Sequence, residues 1–233
     1  YASGLGGALM MTNSLNCIFR NNFVNDSGRY DDWGGGAMNR GAARNCTFIN
    51  NSATRYGGAI SGTDIENCTF INNSAPEGGA INCFSNVKDS IFINNSEDAI
   101  KFQESATVLN CKFINNKDGV NSKSYLSSTI INCTFMYNKR SGYVQNAFNC
   151  TFINNYGSFI GDAFKCKFIN NFNDDGGAMR GGIAINCSFI NNSANRGGAI
   201  FLVDAINCSF VNNSASLEGG AIYGSKNVIN CSF

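Results

Sequence analysis

A Cys-x-Phe core recurs along the whole sequence and constrains the fold more than any other feature. Eleven copies occur, and in one of them Ser replaces Cys. Consecutive copies lie 16 to 29 residues apart, most often 21 or 22. Because a fixed core with variable spacing keeps strands in register while loops absorb insertions, this pattern is typical of a solenoid. The copies begin at Cys17, Cys46, Cys68, Ser90, Cys111, Cys133, Cys150, Cys166, Cys187, Cys208 and Cys231.

Two positions after each core are nearly constant. Phe stands two residues after the Cys or Ser in all eleven copies, which predicts an aromatic column inside the solenoid. Asn stands five residues after it in all ten complete copies, usually behind a second Asn. We expect this fifth residue both to adopt the left-handed turn conformation and to hydrogen-bond the same amide in the next coil.

A second block, Gly-Gly-Ala-Ile, lies between the cores, and a third apolar position lies three residues before most cores. Two helices per repeat would need more than about 30 residues, whereas three short strands fit the observed period. The sequence therefore predicts a right-handed parallel β-helix of about eleven coils, roughly 21 residues each, as a single domain over residues 1–233. The last position of the second block is aliphatic in every coil: Leu9, Met38, Ile60, Ile81, Ile100, Val120, Val144, Ile160, Met179, Ile200 and Ile222.

Eleven cysteines in a short chain raise the question of disulfides or zinc. The chain has no Cys-x-x-Cys pair and no histidine, and ten of the cysteines occupy one column. Parallel side chains in a column point the same way, so we expect buried, reduced thiols that pack as small apolar groups. Cys83 lies outside the column. We predict no cofactor and no metal site.

Composition excludes several classes of partner. The chain has 17 basic and 16 acidic residues and only 14% charged residues, so nothing favours nucleic acid or an anionic membrane. No apolar run is long enough for a membrane-spanning helix. Tyr1 and Phe233 fall near coil boundaries, which predicts a segment of a longer protein. End-to-end self-association into a filament is an alternative for the open ends.

The repeat also carries a family resemblance. Asn-Cys-Thr-Phe-Ile-Asn-Asn-Ser, at 45–52 and 67–74, is followed by Gly-Gly-Ala-Ile. The combination resembles archaeal adhesin-like proteins and is similar to the repeats of chlamydial polymorphic outer membrane proteins. This resemblance implies an extracellular, cell-surface, non-enzymatic protein that adheres to host cells, other microbes, surface glycans or another surface protein. The repeat departs from the pattern at Glu97-Asp98, Lys117-Asp118 and Gly157-Ser158-Phe159, which leaves local turn geometry open.

The longest insertion supplies the candidate ligand-binding residues. It runs from Phe23 to Trp33 and contains Tyr30, Asp31, Asp32 and the single tryptophan, Trp33. Aromatic rings beside carboxylates suit sugar stacking with hydroxyl hydrogen bonds, and loops on a rigid scaffold commonly carry recognition. The alternative is a loop that packs its aromatics against the wall of the helix. A second insertion, over 121–128, is a weaker candidate.

Catalysis by a β-helix polysaccharide lyase or hydrolase is the main alternative function. Such a site needs two acids within about 5 to 10 Å, which means neighbouring coils. The pairs Asp31-Asp32 and Asp174-Asp175 are seven coils apart, so we predict no catalytic residues.

The sequence also predicts an ion ladder and candidate glycan acceptors. Arg44, Glu66 and Lys88 occupy one position in three successive coils and predict an ion ladder. Sequons such as Asn25-Asp26-Ser27 offer glycan acceptors, although most of the others are expected to coincide with amides that the ladder needs.

Overall fold

The computed structural model describes residues 2–3, 6–25, 34–62, 64–83, 86–122 and 127–233. The described chain contains strands and turns and no helix, and it forms the predicted right-handed parallel β-solenoid. It has about nine turns, fewer than the eleven coils predicted from the Cys-x-Phe copies. The chain divides into two compact units, residues 1–128 and 129–233. The single domain over 1–233 stays a prediction.

Each coil of the first unit contributes up to three main strands, and some coils add a short lateral strand. The main strands pair in parallel with their counterparts in the coils above and below. First strands follow the Gly-Gly-Ala block, second strands precede the core, and third strands contain the Cys-x-Phe phenylalanine. The first strands are Leu9–Met10, Met38–Asn39, Ile60–Gly62, Ile81–Cys83, Asp98–Phe102 and Asp118–Ser122. The second strands are Ser14–Leu15, Ala43–Arg44, Ile65–Glu66, Val87–Lys88 and Thr107–Leu109. The third strands are Ile18–Arg20, Thr47–Ile49, Thr69–Ile71, Ile91–Ile93 and Lys112–Ile114, and short lateral strands span Ala2–Ser3, Phe23–Asn25 and Ser52–Ala53.

The second unit repeats this arrangement, with first and second strands fused in two coils. The fused strands are Arg140–Phe148 and Phe159–Phe164. The separate first strands are Met179–Arg180, Ile200–Phe201 and Ile222–Tyr223, and the second strands are Thr129–Ile131, Ile183–Ile185, Asp204–Ile206 and Val228–Ile229. The third strands are Thr134–Met136, Thr151–Ile153, Lys167–Ile169, Ser188–Ile190 and Ser209–Val211, and lateral strands span Ser193–Arg196 and Ser214–Glu218.

The predicted aromatic column forms the core of each unit. In the first unit Phe70 stacks between Phe48 and Phe92, with ring centroids 4.9 and 4.8 Å away and ring planes within 4° of parallel. In the second unit Phe168 stacks between Phe152 and Phe189 at 4.7 and 5.0 Å. These distances equal the spacing of paired strands, so the rings stack because the strands that carry them are in register. The expectation of an inward Phe column is confirmed.

In the Asn-Asn turn, the ladder hydrogen bond and the left-handed conformation belong to two different residues, although both are predicted above for the fifth residue. Asn51 and Asn73 are buried, and Nδ2 of Asn51 donates to Oδ1 of Asn73 at 3.0 Å, which is the predicted ladder. The left-handed conformation belongs to the residue before each of them, since Asn50 and Asn72 have φ of 53° and 55° and are exposed. The assignment of the left-handed conformation to the fifth residue was therefore wrong by one position. The ladder residue needs an inward side chain, and the corner residue before it provides the turn.

A second left-handed corner precedes each core, and the sequence prediction missed it. Asn45 has φ of 52°, and Asn67 has φ of 51°. We name the residues directly before the core the first corner, and the residues four after it the second corner. Asn tolerates this conformation better than other non-glycine residues, which explains why Asn recurs at both corners.

One inward position was also wrong. Ile160 was expected to point into the core, but it is 39% exposed, whereas Phe159 is fully buried. Phe159 pairs with Met179, the inward residue of the following coil. The neighbouring aromatic side chain fills the core position, so the coil is shifted by one residue there.

Candidate functional site

The ligand-binding residues predicted in the first insertion, Tyr30, Asp31, Asp32 and Trp33, lie outside the described residues. Much of the second insertion, 123–126, also lies outside them. The sugar-stacking prediction at Tyr30 and Trp33 therefore stays a prediction. The candidate site in the described residues lies on the first strands of the first unit.

An outward column of polar side chains runs along the first strands of the first unit. We name it the outer column. It contains, in each coil, the residue directly after the inward aliphatic that ends the second block. Parallel pairing places these residues in register, so each lies about one strand spacing from the next. Its polar members in the first unit are Asn39, Ser61, Asn82, Lys101 and Asn121, and Met10 precedes them in the same register.

Part of the outer column is buried without hydrogen-bond partners. Asn39, Ser61 and Asn82 are 2%, 1% and 0% exposed. Oδ1 of Asn39, Oγ of Ser61 and both polar atoms of Asn82 have no hydrogen-bond partner among the described residues. An unsatisfied buried polar group costs about 1 to 3 kcal/mol, and such groups are uncommon in folded proteins. Stability alone does not account for three of them in one column, which makes the column a candidate site.

Two buried carboxylates lie beside the partly exposed end of the outer column. Asp98 and Asp118 pair in register on neighbouring first strands and are 7% and 6% exposed. Oδ1 of Asp98 accepts a hydrogen bond from Nδ2 of Asn121 at 2.9 Å, and Oδ2 lies 3.4 Å from Nζ of Lys101. Lys117 and Glu97 form an ion pair at the adjacent positions of the same two coils. Neighbouring acids of this kind were sought in the sequence but missed.

A signal for the carboxylate pair was present in the sequence. Glu97-Asp98 and Lys117-Asp118 both replace Gly-Gly, and they do so in consecutive coils. We had interpreted these substitutions only as a departure in turn geometry. Alignment of the two coils on their inward aliphatics, Ile100 and Val120, places the two aspartates in one column.

The predicted ion ladder lies on the neighbouring second strands. Glu66 contacts Nζ of Lys88 at 2.8 Å and Nε of Arg44 at 3.2 Å. The hydrogen bond from Lys88, followed by that from Arg44, lowers the pKa of the Glu66 carboxyl. All three side chains are partly solvent-accessible. The ladder is therefore a surface feature with a structural role, and its expected pairing is confirmed.

The outer column of the second unit has a different chemistry. Its register is Arg180, Phe201 and Tyr223, and the Phe201 and Tyr223 rings stack at 5.2 Å. Arg196 lies over both rings, with its guanidinium 5.1 Å from the Phe201 centroid. Nε and Nη2 of Arg196 donate to the two carboxylate oxygens of Asp175 at 2.8 and 2.9 Å, which orients this guanidinium. Cation–π contacts and a bidentate ion pair therefore build a rigid surface cluster.

The cysteine column has a structural arrangement. None of the eleven cysteines, all of them described residues, forms a disulfide, and most are buried. The Cys46 backbone N–H donates to Sγ of Cys68 at 3.4 Å, and the Cys68 N–H donates to Oγ of Ser90 at 3.1 Å. The thiols also act as hydrogen-bonding groups, which a purely apolar interpretation misses. Their reduced state stays a prediction. Burial raises the pKa of the Cys68 thiol to about 11, which disfavours a nucleophilic or metal-ligating thiolate.

The described part of the chain contains neither a metal-binding cluster nor a membrane-spanning helix. No cluster of three or more His, Cys, Asp or Glu side chains there is arranged to hold a metal ion. Within the same ranges, no helix has the length and hydropathy required to cross a membrane.

Comparison with known families agrees with this architecture. Residues 186–202 and 207–225 match the Chlamydia polymorphic membrane protein repeat. These two stretches include Arg196, Phe201 and Tyr223. Searches of curated proteins and of solved structures gave no significant match. The right-handed β-helix region family matches residues 2–135, which is more than half of the chain, and the chain therefore belongs to that family.

Proposed function

We propose that this chain is part of a non-enzymatic, adhesin-like protein displayed on the outside of a cell. The observation that carries the proposal is the contrast between inward and outward positions. The inward Phe and ladder Asn recur in coil after coil, whereas the outer column changes from amide, hydroxyl and lysine to arginine and aromatic residues. A constant scaffold with variable outward residues, which are accessible at Lys101, Asn121 and Arg180, suits recognition of a ligand.

The match to polymorphic membrane protein repeats supports a surface location. An archaeal source rests only on the resemblance of the repeat, and it stays part of the proposal. The proposed partner is a surface glycan or another cell-surface protein. The near balance of basic and acidic residues supports the exclusion of nucleic acid as a partner.

Glycan retention tests the proposal directly. The purified chain is applied to a glycan array, and bound and released material are both identified by mass spectrometry. We expect selective retention of intact glycans. Lys101→Gln and Arg180→Ala should each be tested, since they alter the outer column in the two units separately. Retention should fall at least tenfold for the variant whose column holds the ligand.

Matched controls come from the same coils or nearby surface. Lys112→Gln changes an exposed lysine on the third strand, in the same coil as Lys101. Lys167→Ala changes an exposed lysine on a third strand of the second unit and is the control for Arg180→Ala. Equal losses with these controls would point to nonspecific charge effects. No binding to glycans or to intact cells would contradict an adhesive role for this chain.

Enzymatic cleavage of a polysaccharide is the second candidate, because Asp98 and Asp118 form a buried acidic pair in neighbouring coils. The contacts of Asp98 with Asn121 and Lys101 favour a structural role, since both carboxylate oxygens face a donor or a cation. Shortened or unsaturated products in the released fraction, abolished by Asp118→Asn, would establish the enzyme and refute the adhesin.

A further inference from the structure

We propose that the exposed corner asparagines are attachment sites for N-linked glycans. Seven first-corner and five second-corner asparagines stand in Asn-x-Ser/Thr sequons, and all twelve are exposed with φ between 51° and 55°. The first-corner sites are Asn45, Asn67, Asn132, Asn149, Asn186, Asn207 and Asn230. The second-corner sites are Asn50, Asn72, Asn94, Asn191 and Asn212.

At the second corner the structure separates the acceptor amides from the ladder amides, contrary to the expectation that they coincide. Nδ2 of Asn73 donates to Phe48 O and to Oδ1 of Asn95, so this amide is committed to the core. Asn73 is followed by Ser74-Ala75 and is not itself in a sequon. Asn72, directly before it, has an exposed side chain with no hydrogen bond among the described residues. A glycan on Asn72 would leave the ladder intact.

At the first corner, Nδ2 of Asn67 donates to Oδ1 of Asn45 and Nδ2 of Asn149 to Oδ1 of Asn132, both at 2.8 Å. Because a glycosylated Nδ2 keeps one N–H, these bonds are compatible with a glycan.

The turn itself does not require the sequon hydroxyl. The residue two after the second corner is Ser in five coils, but it is Phe23, Lys117 or Phe172 in others. The corner asparagines before these three, Asn21, Asn115 and Asn170, have φ of 55°, 54° and 53°. Because the backbone conformation is the same with and without Ser, the turn geometry does not explain the sequon.

At the first corner, the hydroxyl is found only where the corner residue is asparagine. Where Asp89 and Lys165 replace Asn, the residue two later is Ile91 or Lys167 rather than Ser or Thr. Seven of the nine asparagines at this corner are followed by the hydroxyl, and neither of the two other residues is. Asparagine and hydroxyl therefore occur together, as an acceptor site requires.

Spacing limits how many sites are filled. Asn50, Asn72 and Asn94 lie in successive coils, about one strand spacing of roughly 4.8 Å apart. A glycan core is wider than this spacing, so glycans on adjacent coils would collide. Each column should therefore carry glycans on alternate coils at most.

The reaction is transfer of an oligosaccharide from a lipid-phosphate-linked donor. The Asn Nδ2 forms the bond to the sugar C1 and loses a proton to the transferase. The bond between C1 and the donor phosphate oxygen breaks, and the lipid phosphate leaves. The site needs export of the chain, so the inference rests on the surface location in the proposed function.

Translation in vitro with endoplasmic reticulum microsomes tests the inference without native export. The chain is fused to a signal peptide and to a C-terminal tag carrying one acceptor sequon, which reports translocation. Glycans are counted from the mass shift removed by peptide N-glycosidase, and sites are mapped by mass spectrometry. We expect corner sites to be filled in addition to the tag, without adjacent coils of one column being filled together.

Three variants make the result specific. Ser52→Ala, Ser74→Ala and Ser96→Ala combined should remove every glycan from the second corner of the first unit. Phe172→Ser should add a site at Asn170, which is filled in chains that carry no glycan on Asn191 of the adjacent coil. The double variant S74A/A75S moves a sequon to the buried Asn73, so any chain glycosylated there should be protease-sensitive. Wild-type glycosylated chains should stay protease-resistant. A glycosylated tag with unmodified corners, or protease-sensitive wild-type glycoforms, would overturn the inference.

Discussion

The asparagine ladder makes a quantitative prediction at Asn73. Its Oδ1 accepts from the Asn51 backbone N–H at 3.0 Å and from Asn51 Nδ2 at 3.0 Å. Its Nδ2 donates to Phe48 O and Asn95 Oδ1 at 3.0 and 3.1 Å. Asn73→Ala therefore removes four hydrogen bonds at a side chain that is 1% exposed.

The cost follows from what each lost bond leaves behind. Asn51 Nδ2 still donates to Phe19 O, and Asn95 Oδ1 still accepts the Asn73 backbone N–H. The Asn51 backbone N–H loses its acceptor, which costs about 1 to 3 kcal/mol, and each of the other bonds contributes about 0.5 to 1.5 kcal/mol. Because the chain relaxes around the smaller side chain, we expect a total loss of about 3 to 5 kcal/mol in the free energy of unfolding.

Urea unfolding followed by circular dichroism measures this loss, with Asn72→Gly as the matched control. Asn72 is exposed and has φ of 55°, a conformation that glycine adopts readily, so the control should change stability by less than about 1 kcal/mol. Equal destabilisation by the two variants would refute the assignment of the ladder to Asn73 and of the corner to Asn72.

Three further predictions concern the core, the thiols and the ion ladder. Phe70→Ala should lower the free energy of unfolding by about 3 to 5 kcal/mol in the same assay, because it opens a gap in the aromatic column. A loss under about 1 kcal/mol would contradict tight stacking. At pH 8 the buried Cys68, whose pKa is raised to about 11, should resist a thiol-specific disulfide reagent, while the half-buried Cys17 and Cys231 react before it. Peptide mapping of the labelled chain measures the order, and labelling of Cys68 as fast as Cys17 would contradict the prediction. The pKa of Glu66 is lowered in the folded state, so its ion pairs stabilise the fold above the unfolded-state pKa, and this stabilisation is lost as pH falls through the folded-state pKa. The melting temperatures of wild type and Glu66→Gln should therefore converge in acid, and also in high salt, which screens the ion pairs.

The sequence predicts the core well because a solenoid stacks each residue on its counterpart in the next coil. Phe at one position in every copy has a single arrangement that buries all the rings, namely one column. The same reasoning predicted the pairing of Arg44, Glu66 and Lys88. These predictions need only the register, which the repeats supply.

Positions next to each other in the sequence were harder to distinguish. Asn50 and Asn51 have the same side chain, so composition does not show which one turns and which one forms the ladder. Phe159 and Ile160 are both apolar, and either satisfies an inward position. Backbone conformation decides these cases, and it depends on the whole coil.

The outer column illustrates why the candidate site was not predicted. Alternation along a strand places the residue after Ile81 on the outside, where an amide needs no explanation. Its complete burial at Asn82 depends on the surroundings of the column, which the repeat pattern does not contain. The inward repeats specify the scaffold because self-stacking constrains them. The outward residues escape that constraint, so departures from the repeat, such as Asp98 and Asp118 in place of glycine, are the positions at which a binding or catalytic role should be sought first in a chain of this kind.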